Sequence, residues 1–201
     1  MENLNWTYIL FLVVGIPSAT TLFYIAKKDR SLSTLFFGLS LLSFLVGITI
    51  DLFAKNGFIL AREWGDLIGI TFTLSALFIK IRNSKPVFAR FPLYLTLLPF
   101  LVLIFYPLVI NSVVVKDLLQ TTYQGGAIIV GLLVLSINHY LYRGRGLFLF
   151  ASILFLIAFI LFWFFSDSLN QLAEVLSKIF FSSGIIVATF GVKKISENPN
   201  T

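Results

Sequence analysis

A chain of 201 residues, 58% hydrophobic, 16% aromatic and only 12% charged, carries more apolar surface than a water-soluble core of that size can hide. Composition therefore excludes a soluble globular domain and points to an integral membrane protein. The formal net charge of +6 sits mostly in the turns between apolar segments, so it reads as a signal of membrane orientation and not of nucleic-acid binding.

Seven apolar stretches are long enough to cross a hydrocarbon core, which takes about 20 residues of helix: 6–26, 32–54, 58–79, 92–115, 118–141, 147–165 and 169–192. Every connection except 80–91 is only a few residues long. The expected fold is thus an all-α, seven-transmembrane-helix up-down bundle formed by 1–201 as one domain. The first segment has no basic stretch before it and is too long for the apolar region of a signal peptide, so it is expected to stay as a helix. It carries Pro17, with Gly15 and Ala19 on one face. The second segment lines up Ser40, Ser43 and Gly47, and the seventh pairs Gly184 with Ala188; such faces of small residues let helices approach closely in lipid. The fourth holds Pro99 and Pro107, each of which removes a backbone hydrogen bond and favours a bend.

Orientation follows from the basic residues, because Lys and Arg in short loops stay on the cytoplasmic side. Lys27, Lys28, Arg30, Lys80, Arg82, Lys85, Arg90, Arg143, Arg145, Lys193 and Lys194 fall on one side, against Lys55, Arg62, Lys116 and Lys178 toward the other. The amino terminus is expected outside and the carboxyl terminus in the cytoplasm. The acids are skewed the opposite way, with only Asp29 and Glu197 on the inner side. Trp6, Trp64 and Trp163 fall at predicted outer ends and Tyr24, Tyr94, Tyr140 and Tyr142 at inner ends, where amphipathic rings prefer the headgroup layer. The expected location is a cell (inner) membrane, and the outer side stays open between periplasm and extracellular space. Without cysteine there is no disulfide, haem-thiolate, iron–sulfur or zinc-thiolate chemistry. The single histidine, His139, lies beside Asn138 and Tyr140 near the inner interface, too few ligands for a metal site.

An internal match adds to the topology. Residues 51–82 and 163–194 align over 32 positions without a gap, superposing Asp66 on Lys178 and both basic inner ends. The match suggests a 3+1+3 parallel repeat, an arrangement used by some transporters.

Chemistry concentrates in the third and seventh segments. Arg62 and Asp66 are four apart, as are Glu174 and Lys178, so each pair shares a helix face. Lys178 lies fifteen residues from Lys193, roughly 22 Å above the inner end at 1.5 Å per residue, which places it in the outer leaflet. If the two faces meet, Arg62 stands level with Glu174 and Asp66 with Lys178, a square of alternating charge in which no ion is left desolvated alone. Gln120, Gln124 and Gln171 add polarity at the same level, whereas the inner halves are far less polar. A polar cavity open to the outside and closed below is expected. The bland reading, an intrahelical Glu174–Lys178 pair with Arg62 and Lys178 snorkelling outward, stays open beside it.

Three functions fit. The first is binding of a small polar solute or ion by Arg62, Glu63, Asp66, Gln124, Glu174 and Lys178, as a transporter or a membrane sensor, with lipid and other membrane proteins or its own copies as partners and no nucleic acid. The second rests on a resemblance: an arginine and aspartate in helix three, with an acid four residues before a lysine in helix seven, resembles the counterion cluster of microbial rhodopsins. That resemblance implies a retinal cofactor on Lys178, with Asp66 and Glu174 as counterions and Arg62 orienting them; Glu174 stands where the family usually has aspartate. The third is a non-catalytic subunit or assembly factor of a membrane complex. No enzyme is expected, since a nucleophile with its base or a metal set is missing, and a carboxylate pair such as Asp66 and Glu174 would be held ionised by Arg62 and Lys178, which disfavours proton donation.

Overall fold

The computed structural model describes residues 5–53, 59–84, 89–141 and 146–197. Its elements in chain order are α1 (Asn5–Asp29), α2 (Leu32–Phe53), α3 (Ile59–Ser84), a 3-10 helix η1 (Leu93–Phe100), α4 (Leu101–Val109), α5 (Val113–Leu141) and α6 (Gly146–Glu197). No strand occurs among the described residues. Five stretches, Trp6–Asp29, Leu32–Phe53, Ala61–Asn83, Gly146–Phe165 and Leu172–Glu197, are long and apolar enough to cross a membrane. Helices are what such sequences form where water is scarce, because each satisfies its own backbone donors and acceptors.

The turn from α1 to α2 shows how local chemistry sets the antiparallel course. Arg30 takes a left-handed backbone, φ 49°, and the Ser31 N–H donates to the Ala26 carbonyl at 3.1 Å, the bond that closes a helix carboxyl end. Ser31 Oγ then accepts from the Thr34 N–H at 3.3 Å, capping the first turn of α2.

α6 is helical throughout, yet it folds back on itself. The rings of Phe155 and Phe181 lie 5.2 Å apart. A Cβ on Gly184 would meet Phe155 at 2.7 Å and one on Gly191 would meet Phe148 at 3.2 Å. On a straight helix, residues 155 and 184 would stand about 43 Å apart. The reversal falls between the limbs α6a (Gly146–Phe165) and α6b (Leu172–Glu197). The side chains of residues 166–171, Gln171 included, lie outside the described residues, as do those of Asn138 and His139 and the basic turn at Arg143 and Arg145.

Packing closes a ring. α2 lies against α1 and α3, α3 against α5, α5 against α6, and α6 against α1. η1 and α4 sit outside it, on α3 and α5. The small-residue faces are the seams of this ring. Gly47 faces Gly65 across α2 and α3, where a Cβ on Gly65 would lie 2.8 Å from Gly47 Cα and 2.9 Å from the Ser43 carbonyl oxygen. Ser40 Oγ and Thr73 Oγ1 share a hydrogen bond of 2.7 Å across the same seam. Gly15 receives Leu45, and Gly184 receives Phe155. The outer surface is apolar: Ile9, Val13 and Ile16 of α1, Ile104, Phe105 and Leu108 of α4, and Ile186 and Phe190 of α6b are exposed, a face suited to lipid rather than water.

The fourth predicted segment, 92–115, takes a different form. It is 3-10 from Leu93 to Phe100, α-helical only to Val109, and the chain then turns so that Val113–Lys116 open the next helix. Pro99 is the physical reason for the change of pitch: it brings no N–H to the ladder. The Tyr123 hydroxyl donates to the Pro99 carbonyl at 2.6 Å, holding the junction from α5.

Candidate functional site

Two polar networks occupy the end of the ring where α1 begins and α2 ends. The first is built around Tyr8, which α1 places between α3 and α6b. Its hydroxyl accepts from Arg62 Nη1 at 2.7 Å. Lys178 Nζ lies 4.2 Å from the centre of its ring, and the Arg62 guanidinium carbon lies 5.4 Å from it. Both cations thus lie against one ring, whose negative face offsets part of their mutual repulsion. Lys178 donates to Glu174 Oε1 at 2.8 Å along one helix face. Arg62 approaches Asp51 of α2 at 3.8 Å, a loose pair with side chains 29% and 25% exposed.

The second network faces away from the first. Lys116 donates to Glu63 Oε1 at 2.6 Å, and the Tyr106 hydroxyl donates to Glu63 Oε2 at 3.1 Å. Gln120 Nε2 donates in turn to the Tyr106 oxygen at 3.2 Å. Trp64 packs edge-on against Tyr106, ring centres 5.0 Å apart. Tyr106 has no solvent exposure, so its hydroxyl must find protein partners. This network ties α3 to α4 and α5.

A cavity of about 340 Å³ runs inside the ring. Arg62, Asp66, Gln124 and Lys178 line the end where α1 begins and α2 ends, and Lys80 lines the other, with its ammonium 4.4 Å from the ring centre of Phe148. Between these ends the walls are mainly Phe11, Phe44, Phe155, Phe159, Phe181 and Ile185. Two hydroxyls on the way turn to their own helices: Ser152 donates to the Phe148 carbonyl at 2.9 Å and Thr73 to the Gly69 carbonyl at 3.1 Å. The lining therefore differs from the polar pocket, closed below, that the sequence led one to expect. The cluster of charges is confined to one end, and the space continues down a phenylalanine-lined shaft to Lys80 at the other.

Of the six candidate contacts, Arg62, Asp66, Gln124 and Lys178 share this cavity, and Glu174 reaches it through Lys178. Glu63 goes to the second network instead. Adjacent residues of a helix stand about 100° apart, so Glu63 cannot share the face of Arg62 and Asp66. The expected direct square of charge is replaced by a bridged arrangement. α3 and α6 have no extended packing with each other; Tyr8 spans the gap. Among the described residues Asp66 has no ion-pair partner within 4 Å, and Lys178 pairs with Glu174, not with Asp66. Gln124 Oε1 accepts from Trp163 Nε1 at 2.6 Å, which ties α5 to α6a beside the cavity. Tyr8, Tyr106 and Lys116 were not among the candidates. The signal for Tyr8 was its position, one turn into the first segment and therefore level with Arg62 and Asp51. No group of three His, Cys, Asp or Glu side chains converges on a metal-sized site among the described residues. Comparison with protein-family models, with curated proteins and with solved structures finds no match for this chain.

Proposed function

We propose that this chain is a seven-span membrane protein, amino terminus outside and carboxyl terminus in the cytoplasm, that binds a small polar solute or ion in the outer half of the bundle. It would act as a transporter or as the membrane part of a sensor rather than as an enzyme. The observation that carries this reading is the gathering of Arg62, Asp66, Gln124 and Lys178 around the outer end of one cavity. Buried ionisable groups at membrane depth are costly and are kept where a task needs them. The seven spans are α1, α2, α3, η1 with α4, α5, α6a and α6b. The short fourth span reaches far enough because a 3-10 helix rises about 2.0 Å per residue against 1.5 Å for an α-helix, so η1 with α4 covers about 30 Å, the thickness of a hydrocarbon core. Asp66 and Lys178, which the 3+1+3 repeat superposes, both reach the cavity, in keeping with a site between repeats.

In lipid nanodiscs, small cations, anions and zwitterions supplied in turn are expected to include one that raises the unfolding temperature saturably, with the rise abolished in Asp66→Asn or Lys178→Ala. A panel that leaves the wild type unmoved, or moves the variants equally, refutes the site. Residues placed outside and inside by the topology serve as a second check, since the native chain has no cysteine. An impermeant maleimide is expected to label Ser112→Cys in intact cells and Lys28→Cys only after permeabilisation.

A retinal protein is the second reading, favoured by one observation: the Lys178 amine opens onto an elongated, phenylalanine-lined space. All-trans retinal would then give a visible band that Lys178→Ala removes, and no band disposes of it. Under either reading the apolar outer surface leaves room for other membrane helices, including those of a larger complex.

A further inference from the structure

The shape and charge of the cavity narrow the ligand class beyond a small polar solute, an inference that rests on the outer-site reading above. Phe148, Phe155 and Phe162 of α6a all line the cavity, as do Lys178 and Val192 of α6b. Fourteen residues separate the ends of each set, so the space extends about 20 Å along the bundle. A volume of about 340 Å³ drawn out over that length makes an elongated space, a shape that suits an extended chain better than a compact solute.

Charge then sets the direction. At the outer end three carboxylates, Asp51, Asp66 and Glu174, face two cations, Arg62 and Lys178. Arg62 is held by Tyr8 and Asp51, and Lys178 by Glu174 and the Tyr8 ring. One negative charge is in excess at this end, and Asp66, which Arg62 attracts without forming an ion pair within 4 Å among the described residues, is a carboxylate that lines the cavity. A desolvated carboxylate of this kind calls for a positive group. Lys80 at the far end disfavours a second cation there.

The geometry points to a single-chain amphiphilic cation as the ligand: an ammonium group beside Asp66 and Tyr8, with an unbranched apolar chain running among Phe11, Phe44, Phe155 and Phe181 toward Lys80. A few placed polar groups over an apolar shaft are the usual make-up of such a site, and each buried methylene adds about 0.8 kcal/mol of transfer free energy.

The test uses the full chain in nanodiscs of electrically neutral lipid, with binding of four probes followed by tryptophan fluorescence and thermal unfolding: n-decylammonium, n-decanoate, n-decanol and ethylammonium. Empty discs correct for partition into lipid. Decylammonium is expected to bind saturably and about tenfold or more tighter than decanoate or decanol, since only it brings a positive charge to hydrogen-bond the Asp66 carboxylate. Asp66→Asn is expected to erase that preference and Asp66→Glu to retain it; the comparison of probes on the wild type stands whether or not the variants fold. Gly131→Leu, which fills the shaft beside Leu77 and Ser152, is expected to weaken decylammonium and leave ethylammonium unchanged. Equal binding of ethylammonium and decylammonium overturns the apolar extension while leaving the outer site standing. Preference for decanoate overturns the charge assignment. Silence of all four probes overturns the amphiphile, and the outer-site reading falls with it only if the panel of small solutes is silent too.

Discussion

Replacing Tyr8 by phenylalanine removes one oxygen atom and keeps the ring. The lost group accepts a 2.7 Å hydrogen bond from a charged donor, Arg62 Nη1, and bonds to ionised partners contribute about 1.5–3 kcal/mol net. Arg62 keeps only the loose 3.8 Å approach to Asp51, so little of the loss is recovered. Lys178 still faces the ring at 4.2 Å. Tyr8→Phe should therefore cost about 1.5–2 kcal/mol, and Tyr8→Leu, which also strips the ring from two cations at about 0.5–2 kcal/mol each, about 3–4 kcal/mol. Reversible unfolding in mixed micelles of mild detergent and dodecyl sulfate, read by tryptophan fluorescence, measures both. A double-mutant cycle with Arg62→Met isolates the bond and should return a coupling of about 1.5 kcal/mol or more. If Tyr8→Phe lies within about 0.3 kcal/mol of wild type and the cycle shows no coupling, Tyr8 does not link α3 to α6b, and the bridged arrangement is wrong.

Gly65→Ala places a Cβ 2.8 Å from Gly47 Cα and 2.9 Å from the Ser43 oxygen, backbone atoms that cannot swing aside; a loss of about 1–3 kcal/mol is expected. Gly126→Ala, with nothing within 4 Å, should be neutral or gain up to about 1 kcal/mol from helix propensity, and equal effects of the two substitutions would contradict the α2–α3 seam. Glu63→Gln leaves Lys116, paired at 2.6 Å with side chains 16% and 17% exposed, without its counter-charge, at a cost of about 2–4 kcal/mol. Adding Lys116→Met should restore part of that loss, and additive losses in the double variant would show that the two residues are not partners.

Much of this arrangement was legible in residue spacing. Ser40, Ser43 and Gly47 read as a seam because a helix repeats every 3.6 residues, and in the structure they meet Thr73 and Gly65 of α3. Glu174 and Lys178, four apart, pair as their spacing requires. The same rule, applied to Glu63, would have separated it from Arg62 and Asp66 in advance. Lys116 was harder to read, because it lay in what looked like a connector; once α5 begins at Val113, its side chain belongs to the first turn and reaches Glu63.

By itself the sequence determined that this chain is helical, where most of its apolar segments run, and which residues share a helix face, since these depend on local periodicity and on the cost of unsatisfied backbone in an apolar setting. Only the tertiary structure decided that Tyr8 stands between Arg62 and Lys178, that Asp66 is left without an ion-pair partner within 4 Å among the described residues, and that the charged end opens onto a phenylalanine-lined shaft. Those outcomes depend on how helices distant in sequence are arranged around the ring. That order is set by side-chain volumes at close seams such as Gly47 with Gly65, and not by any property of one segment read alone.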